Sequence, residues 1–357
     1  MQQIHVNQKA IDRTALVAVD PAPLADGQVR LRLECCALTA NNVTYAASGF
    51  DLKYWSFFPS GVDGQGLVPV WGIAQVVETK SDVLNEGARL YGFFPLAEEL
   101  VMTPEARGEK GVVDRAAHRA ELPGLYNYYG RVSGHDEKRD HLRALFQPLL
   151  ATSFVLSDWL QDNDFFDAEQ IIVGSASSKT GLGLCRFLNT NDPRPERVIG
   201  LTSARNRGFV EDLGDCDAVL TYDQIDALPK VPSVYVDIAG NAQVKAALHT
   251  HLAGVLMHSS AVGISHWDQF QPRLALDGPK PEFFFAPSQI AKRQKEWGPG
   301  VIERKIAESW TGLAASAEDW LDVKVHQGLA AAPAVWAALA AGKADPREGH
   351  IISFKTG

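Results

Sequence analysis

The stretch that decides the fold is Ile171-Ile172-Val173 followed by Gly174-Ser175-Ala176-Ser177-Ser178-Lys179-Thr180-Gly181 and then Leu182-Gly183-Leu184-Cys185-Arg186-Phe187-Leu188. A β-branched run stops at a glycine, small hydroxylated residues fill a bend, and apolar residues recur at helical spacing through Leu182, Cys185, Phe187 and Leu188. This is strand, tight turn and helix. Such a turn aims backbone N–H groups at one point, and the helix N-terminus adds about half a positive charge there. A phosphate or pyrophosphate is the natural ligand, so the stretch points to a nucleotide cofactor.

Compared with a glycine-rich dinucleotide turn, Ser175, Ser178 and Gly181 stand at the key positions and only the last is glycine; a one-residue shift brings Gly174 into play instead. The P-loop pattern fits worse, although Lys179-Thr180 suits it. Ser178 replaces the glycine before the lysine, and Gly174 is one residue too close for the loop to wrap a β-phosphate. A strand-to-helix turn without a ligand is the third reading.

Outward from this stretch, the pattern from Gln147 alternates between helix and strand. Leu149 to Leu160 reads as a helix, and strands recur at Gln170 to Val173, Arg197 to Leu201, Ala218 to Tyr222, Val234 to Ile238, Gly254 to His258 and Glu282 to Phe285. Asn206 to Leu213 and Ala242 to Leu252 read as helices between them. That alternation predicts a doubly wound parallel sheet. The first third reads instead as a small β-barrel or sandwich: Val29, Leu31, Leu33 and Cys35 alternate with Arg30, Arg32 and Glu34, and strands follow at Trp71 to Glu78 and Arg89 to Phe94. The tail holds an alanine-rich helix, a turn at Gly342 to Pro346 and a last strand at His350 to Phe354.

The 357 residues are long for one core and suggest more than one domain. Lysine and arginine number 34 against 43 acids, a net charge of −9, which disfavours nucleic acid and anionic membrane as partners. The opening Met1-Gln2-Gln3-Ile4-His5 lacks a secretory pattern and the longest apolar stretch, Leu329 to Ala341, is too short to span a bilayer, so a cytoplasmic protein is expected. Cys35, Cys36, Cys185 and Cys216 form neither a disulfide framework nor a zinc pattern and are expected to be reduced thiols.

A β-rich first domain, a Rossmann-type middle and a short return together resemble the medium-chain dehydrogenase/reductase superfamily. Asn41-Asn42-Val43-Thr44-Tyr45 with Ser48-Gly49 is similar to the segment opening the active site of its zinc-free quinone reductases. Ile73 to Phe94 resembles the paired strands that follow, Leu149 to Trp159 the helix entering the cofactor domain, and Gly342 to Ile352 the closing strand. The serine-rich turn places the chain in a divergent subfamily of unassigned function. The resemblance implies an α/β fold with a GroES-like β-barrel domain over 1–146, a Rossmann doubly wound parallel sheet over 147–287 and a return segment over 288–357 that completes the catalytic domain. Zinc dehydrogenases of the superfamily carry a cysteine near Asn41 and a Gly-His-Glu segment before Ile73; Thr39-Ala40-Asn41 and Val70-Trp71-Gly72 stand here, and no Cys/His cluster supplies the ligands zinc needs. No metal site is expected.

The cofactor follows from the end of the second Rossmann strand. Thr202 lies 21 positions after Gly181 (202 − 181), where an acidic residue would bind the ribose 2′-hydroxyl of NAD. Thr202-Ser203-Ala204-Arg205-Asn206-Arg207 offers hydroxyls and guanidinium groups instead, which suit the 2′-phosphate of NADP(H). The alternative has Ser203 capping the next helix and Arg205 and Arg207 solvated. The expected cofactor contacts are Ser175, Ser177, Ser178, Lys179, Thr180 and Gly181, then Thr202, Ser203 and Arg205. By resemblance Gly240, Ser260, Val262 and Phe285, from the loops after late strands, line the nicotinamide.

Without zinc, such a reductase needs a polarising donor and a proton source. Tyr45 offers a phenol and Asn42 an amide, with Asn41 competing for the amide's role; packing on the barrel is the other reading of Tyr45. The aromatic runs Lys53 to Phe58 and Tyr126 to Arg131 fit either a wall for a flat substrate or ordinary packing. His258 and His266 are further candidate acids. The reaction expected is NADP(H)-dependent, zinc-independent reduction of a quinone, enone or similar unsaturated or carbonyl substrate, with hydride going to the β-carbon while the oxygen is held. The competing reading is a non-catalytic nucleotide-binding module, a redox sensor or scaffold. An edge strand at Glu282 to Phe285 suits a homodimer.

Overall fold

Six parallel strands carry the nucleotide-type pattern. A computed structural model describes residues 1–265 and 275–355 and arranges the chain as two compact units, Phe146–Glu318 and Met1–Leu145 with Asp319–Gly357. In the first of these the strand order across the sheet is Ala218–Thr221, Arg197–Thr202, Gln170–Gly174, Ser233–Asp237, Leu256–Ala261 and Glu282–Phe283. Numbered along this unit, that order is 3-2-1-4-5-6, the order of a Rossmann sheet, with every neighbouring pair parallel. Gln170–Gly174 and Ser233–Asp237 are buried throughout, as strands covered on both faces must be.

Helices Lys179–Thr190, Arg207–Leu213 and Ala242–His251 supply crossovers. Ile172, Ile199, Leu201, Tyr235, Val244, Leu248 and Leu252 belong to one apolar cluster between sheet and helices. The order in which strands are added reverses between the first and fourth strands, so a crevice opens at their carboxyl ends, where the Gly174–Gly181 turn and the Asp237–Asn241 segment stand. The expected strand from Gly254 begins at Leu256, because Gly254 (φ +86°) turns the chain first.

The expected return segment is divided. Helices Ala286–Trp297 and Val301–Ser316 lie in the Rossmann unit, and the chain from Asp319 onward lies in the other. Arg293 fastens the first of these helices to Asp158 (2.7 Å) and Asp162 (3.1 Å).

The other unit is mainly antiparallel β structure, with one parallel pair between Asp322–Gln327 and Glu348–Ser353. Its larger sheet runs Asp322–Gln327, Glu348–Ser353, Val29–Leu38, Pro69–Thr79, Arg89–Pro95, Tyr128–Arg131, Gly111–Asp114 and Pro104–Arg107, with Glu99–Met102 also on Val29–Leu38. A smaller sheet joins Thr14–Ala18, Gln2–Asn7 and Gln65–Leu67. The C-terminal strand pairs with the early one, His350 opposite Leu38, so sequence ends share a sheet. Arg30, on the polar side of the Val29 to Cys35 alternation, is buried against Glu78 (2.9 Å).

Arg119 is a buried polar anchor of this unit. It is 1 % exposed and donates to Asp114 (2.9 Å), the Tyr129 hydroxyl (2.8 Å) and the Tyr126 carbonyl (2.7 Å), with its guanidinium over Phe58. Removing one partner of such a pair leaves the other charge buried and uncompensated, at a cost of about 3–5 kcal/mol. Arg119→Met is therefore expected to lower the unfolding free energy read from urea denaturation by that much, whereas an effect under about 1 kcal/mol on the same curve would contradict the arrangement.

Candidate functional site

The turn after Gln170–Gly174 is held open by a few specific bonds. Ser175 adopts φ +56°, a conformation L-residues other than glycine rarely take, and the Tyr222 side chain hydrogen bonds to it. Ser178 is the N-cap of the following helix: its hydroxyl accepts from Gly181 N (3.1 Å) and donates to Ser175 O (2.8 Å). Gly181 is needed for contact rather than flexibility, because a Cβ there would lie 2.4 Å from Ser175 O. The helix N-terminus thus sits against the turn, which is the arrangement an anion requires.

The expected contact residues separate into two groups. Ser177 and Thr202 are buried and bonded to one another (Oγ–Oγ1 3.0 Å), and Asn206 donates to the same Ser177 hydroxyl (3.1 Å). Their hydroxyls couple the turn to the second strand. Ser203 heads a short helical turn but makes no side-chain cap, so its capping reading fails; its hydroxyl is buried and has no partner among the described residues. Arg205 is exposed in that turn, while Arg207 pairs with Glu211 (2.8 Å) at helical spacing. Lys179 and Thr180 occupy the first helical turn, and the Thr180 carbonyl accepts from Ser153 (2.7 Å).

Beyond the fourth strand, Gly240 takes φ +78° and donates to Asp237 Oδ1 (2.8 Å). Asp237 is buried and paired with Lys245 (2.9 Å), and Asn241 caps the next helix through Gln243 N and Val244 N. Val262 N donates to the Asp237 carbonyl (2.9 Å), so Gly240 and Val262 are tied to one strand end. Ser260 is buried and its hydroxyl meets His258 Nε2 (3.1 Å). His258 stacks on Phe166 at 4.1 Å, and burial pushes its imidazole below the usual range, which suits a neutral packed ring rather than a cationic acid. Phe285 precedes helix Ala286–Trp297 and stacks on Phe283. His266 lies outside the described residues. Tyr222, Asn206, Asp237 and Lys245 escaped the sequence reasoning; an acid closing the Val234-Tyr235-Val236 run was the available signal.

The catalytic candidates are in the other unit. Tyr45 is buried in an aromatic cluster with Tyr54, Phe57, Phe58, Phe93 and Tyr126. Its ring packs on Tyr54 at 4.5 Å, and its hydroxyl accepts from Trp71 Nε1 (3.1 Å) and bonds to the Asn41 side chain. Packing and polar readings therefore coexist. Asn42 is committed elsewhere: its Oδ1 accepts from Thr39 N (2.7 Å) and its Nδ2 donates to Pro69 O (2.9 Å), capping helix Ala40–Ala47 and pinning it to the neighbouring strand. The structure gives Asn42 a positioning role, with Asn41 rather than Asn42 beside the phenol. Tyr54 and Tyr126 share a hydroxyl hydrogen bond of 2.9 Å. Trp55 packs against Gly49 and Gly66, where a Cβ would clash with its indole.

Among the described residues no group of three or more His, Cys, Asp or Glu side chains could hold a metal ion, and no helix is long and apolar enough to cross a membrane.

Residues 36–345 match the sequence pattern of a family described as "Protein of unknown function (DUF2855)". The chain belongs to that family. Among curated proteins no sequence matches this DUF2855 chain. Its fold is similar to that of CurA from Vibrio vulnificus, solved in complex with NADPH (TM-score 0.66, 15% identity, 100% of both chains covered). It is also similar to the yhdH oxidoreductase from Salmonella enterica in complex with NADP (0.55, 14%, 99% of this chain and 100% of that one). A third likeness is to the quinone oxidoreductase from Coxiella burnetii (0.53, 16%, 99% of both). The combination expected from the sequence, a GroES-like domain with a Rossmann domain, is the fold of this DUF2855 chain.

Burial pushes the phenols of Tyr45, Tyr54, Tyr91 and Tyr126 well above their ordinary value of 10. A group whose value is raised on folding stabilises the fold below its unfolded value and loses that contribution as pH rises through the folded one. Stability from these phenols is thus expected to be constant up to about pH 9 and to fall above about pH 10. Phenolate absorbance should show fewer ionised tyrosines in the native protein than in the urea-unfolded chain at about pH 10.5; equal ionisation in both would contradict their burial.

Proposed function

We propose that this DUF2855 protein is an NADP(H)-dependent, zinc-independent oxidoreductase that reduces an enone, quinone or similar activated double bond. The observation that carries the cofactor choice is the Ser203 hydroxyl, buried and without a partner among the described residues at the end of the second Rossmann strand, followed by exposed Arg205 where no acid stands. A 2′-phosphate supplies an acceptor for the Ser203 hydroxyl, and its charge suits the neighbouring Arg205 guanidinium. The neighbours solved with NADPH or NADP support the same reading.

In this reading Ser178 and Gly181 orient the helix N-terminus toward the pyrophosphate, while Ser177, Thr202 and Asn206 fix the turn against the second strand. Gly240 and Val262, held by Asp237, together with Ser260 and Phe285, form the nicotinamide's surroundings. NADPH, when bound, supplies the hydride. The Tyr45 phenol stays protonated at neutral pH, held between Trp71 and Asn41, and donates to the substrate's carbonyl oxygen or to the carbon that becomes nucleophilic after reduction. The aromatic cluster around it favours a flat, apolar substrate. The exposed edge strand Glu282–Phe283, with Phe283 on its surface, is the expected dimer contact, and the cytoplasm the expected location.

Steady-state turnover of NADPH with a panel of small enones and quinones tests the proposal. Tyr45→Phe is expected to lower kcat by about 10²-fold or more with the KM for NADPH unchanged. Arg205→Ala is expected to raise the KM for NADPH about tenfold and leave that for NADH unaltered. Binding of NADPH with no turnover of any such substrate would favour the non-catalytic module instead.

A further inference from the structure

Cys185 and Cys216 play no part in the proposed chemistry, yet their side chains meet. Cys185 is buried on helix Lys179–Thr190, and Cys216 follows helix Arg207–Leu213 and is partly exposed; both are free thiols. The two side chains hydrogen bond to each other and line one small void with Ala176, Leu182 and Val210. Their chain neighbours are also fastened together, because Arg186 Nε pairs with Asp215 Oδ1 at 2.5 Å. Gly200 makes room for the contact: a Cβ there would lie 2.9 Å from Cys216 Sγ and 3.2 Å from Ala176 Cβ. The Cys216 sulfur is therefore lodged beside the second strand, next to the floor of the nucleotide-type turn.

We propose that Cys185 and Cys216 form a reversible oxidation site that hydrogen peroxide converts to an intramolecular disulfide. The partly exposed Cys216, as thiolate, attacks the O–O bond of the peroxide, forming a sulfenic acid and releasing hydroxide. The Cys185 sulfur then attacks the Cys216 sulfur; the S–O bond breaks, and the departing oxygen leaves as water with the Cys185 proton. Two thiols lose two electrons in all, and one hydrogen peroxide becomes two waters. The hydrogen bond to Cys216 and then burial push the Cys185 thiol up, which fits the second, resolving position better than the first. The ion pair at Arg186 and Asp215 holds both segments while the sulfurs close from hydrogen-bond distance to the roughly 2 Å of a disulfide.

The test is mild hydrogen peroxide treatment of the folded full chain, alkylation of remaining thiols, proteolysis without reductant and mass mapping. The expected result is a Cys185–Cys216 linked peptide with loss of two hydrogens, restored to two alkylatable thiols by dithiothreitol, while Cys35 and Cys36 stay reduced. Cys216→Ser should abolish the link and leave Cys185 as a thiol. Mapping of the unsubstituted chain stands alone if that variant does not fold. Cys216 driven to sulfinic acid with Cys185 still reduced, or both thiols still alkylatable after treatment, would overturn the proposal.

Discussion

The ligand chemistry of the Rossmann unit depends on how closely helix Lys179–Thr190 approaches the turn before it. A Cβ at Gly181 would fall 2.4 Å from the Ser175 carbonyl oxygen, well inside contact distance, so this position tolerates hydrogen alone. That proximity lets Ser178 bond to both sides, to Ser175 and to Gly181, and it sets the helix N-terminus at the crevice where the strand order reverses. Two other positions of the turn carry serines. Their cost is met locally: Ser175 holds a left-handed conformation with Tyr222 bonded to it, and Ser178 becomes a cap. The turn keeps the geometry of a nucleotide cradle with altered chemistry.

Much of this was legible in the sequence, for reasons that differ by element. The buried parallel strands announce themselves as short β-branched runs such as Ile171-Ile172-Val173, and their alternation with helical patterns implies the doubly wound parallel sheet observed. Helices Ala286–Trp297 and Val301–Ser316 were not legible, because their stability rests on partners far along the chain, Arg293 on Asp158 above all. Short strands such as Pro104–Arg107 and Gly111–Asp114 carry too few residues for a period-two signal. Arg30 misleads for a related reason: alternation places it outward, and only the sheet brings Glu78 and Glu99 to cover it.

The site was less legible than the fold. Residue type shows which side chains are able to donate, and the structure shows which are already donating. Asn42 is spent on Thr39 and Pro69, and Thr202 on Ser177, whereas Ser203 keeps an unmet hydroxyl. Tyr45 stands between these cases, with its ring packed and its oxygen bonded to Trp71 and Asn41. A phenol kept neutral by burial is ready to donate a proton once a substrate oxygen competes for it. Ser203 and Tyr45 are thus the residues on which the functional reading depends most.

The most direct test of the nucleotide cradle is a fluorescence titration of the purified, unsubstituted protein with NADPH and, separately, NADH. NADPH is expected to bind at least tenfold more tightly, about 1.4 kcal/mol, from the donors at Ser203 and Arg205. Equal affinity for the two would contradict the 2′-phosphate assignment, and binding of neither would remove the cofactor reading altogether.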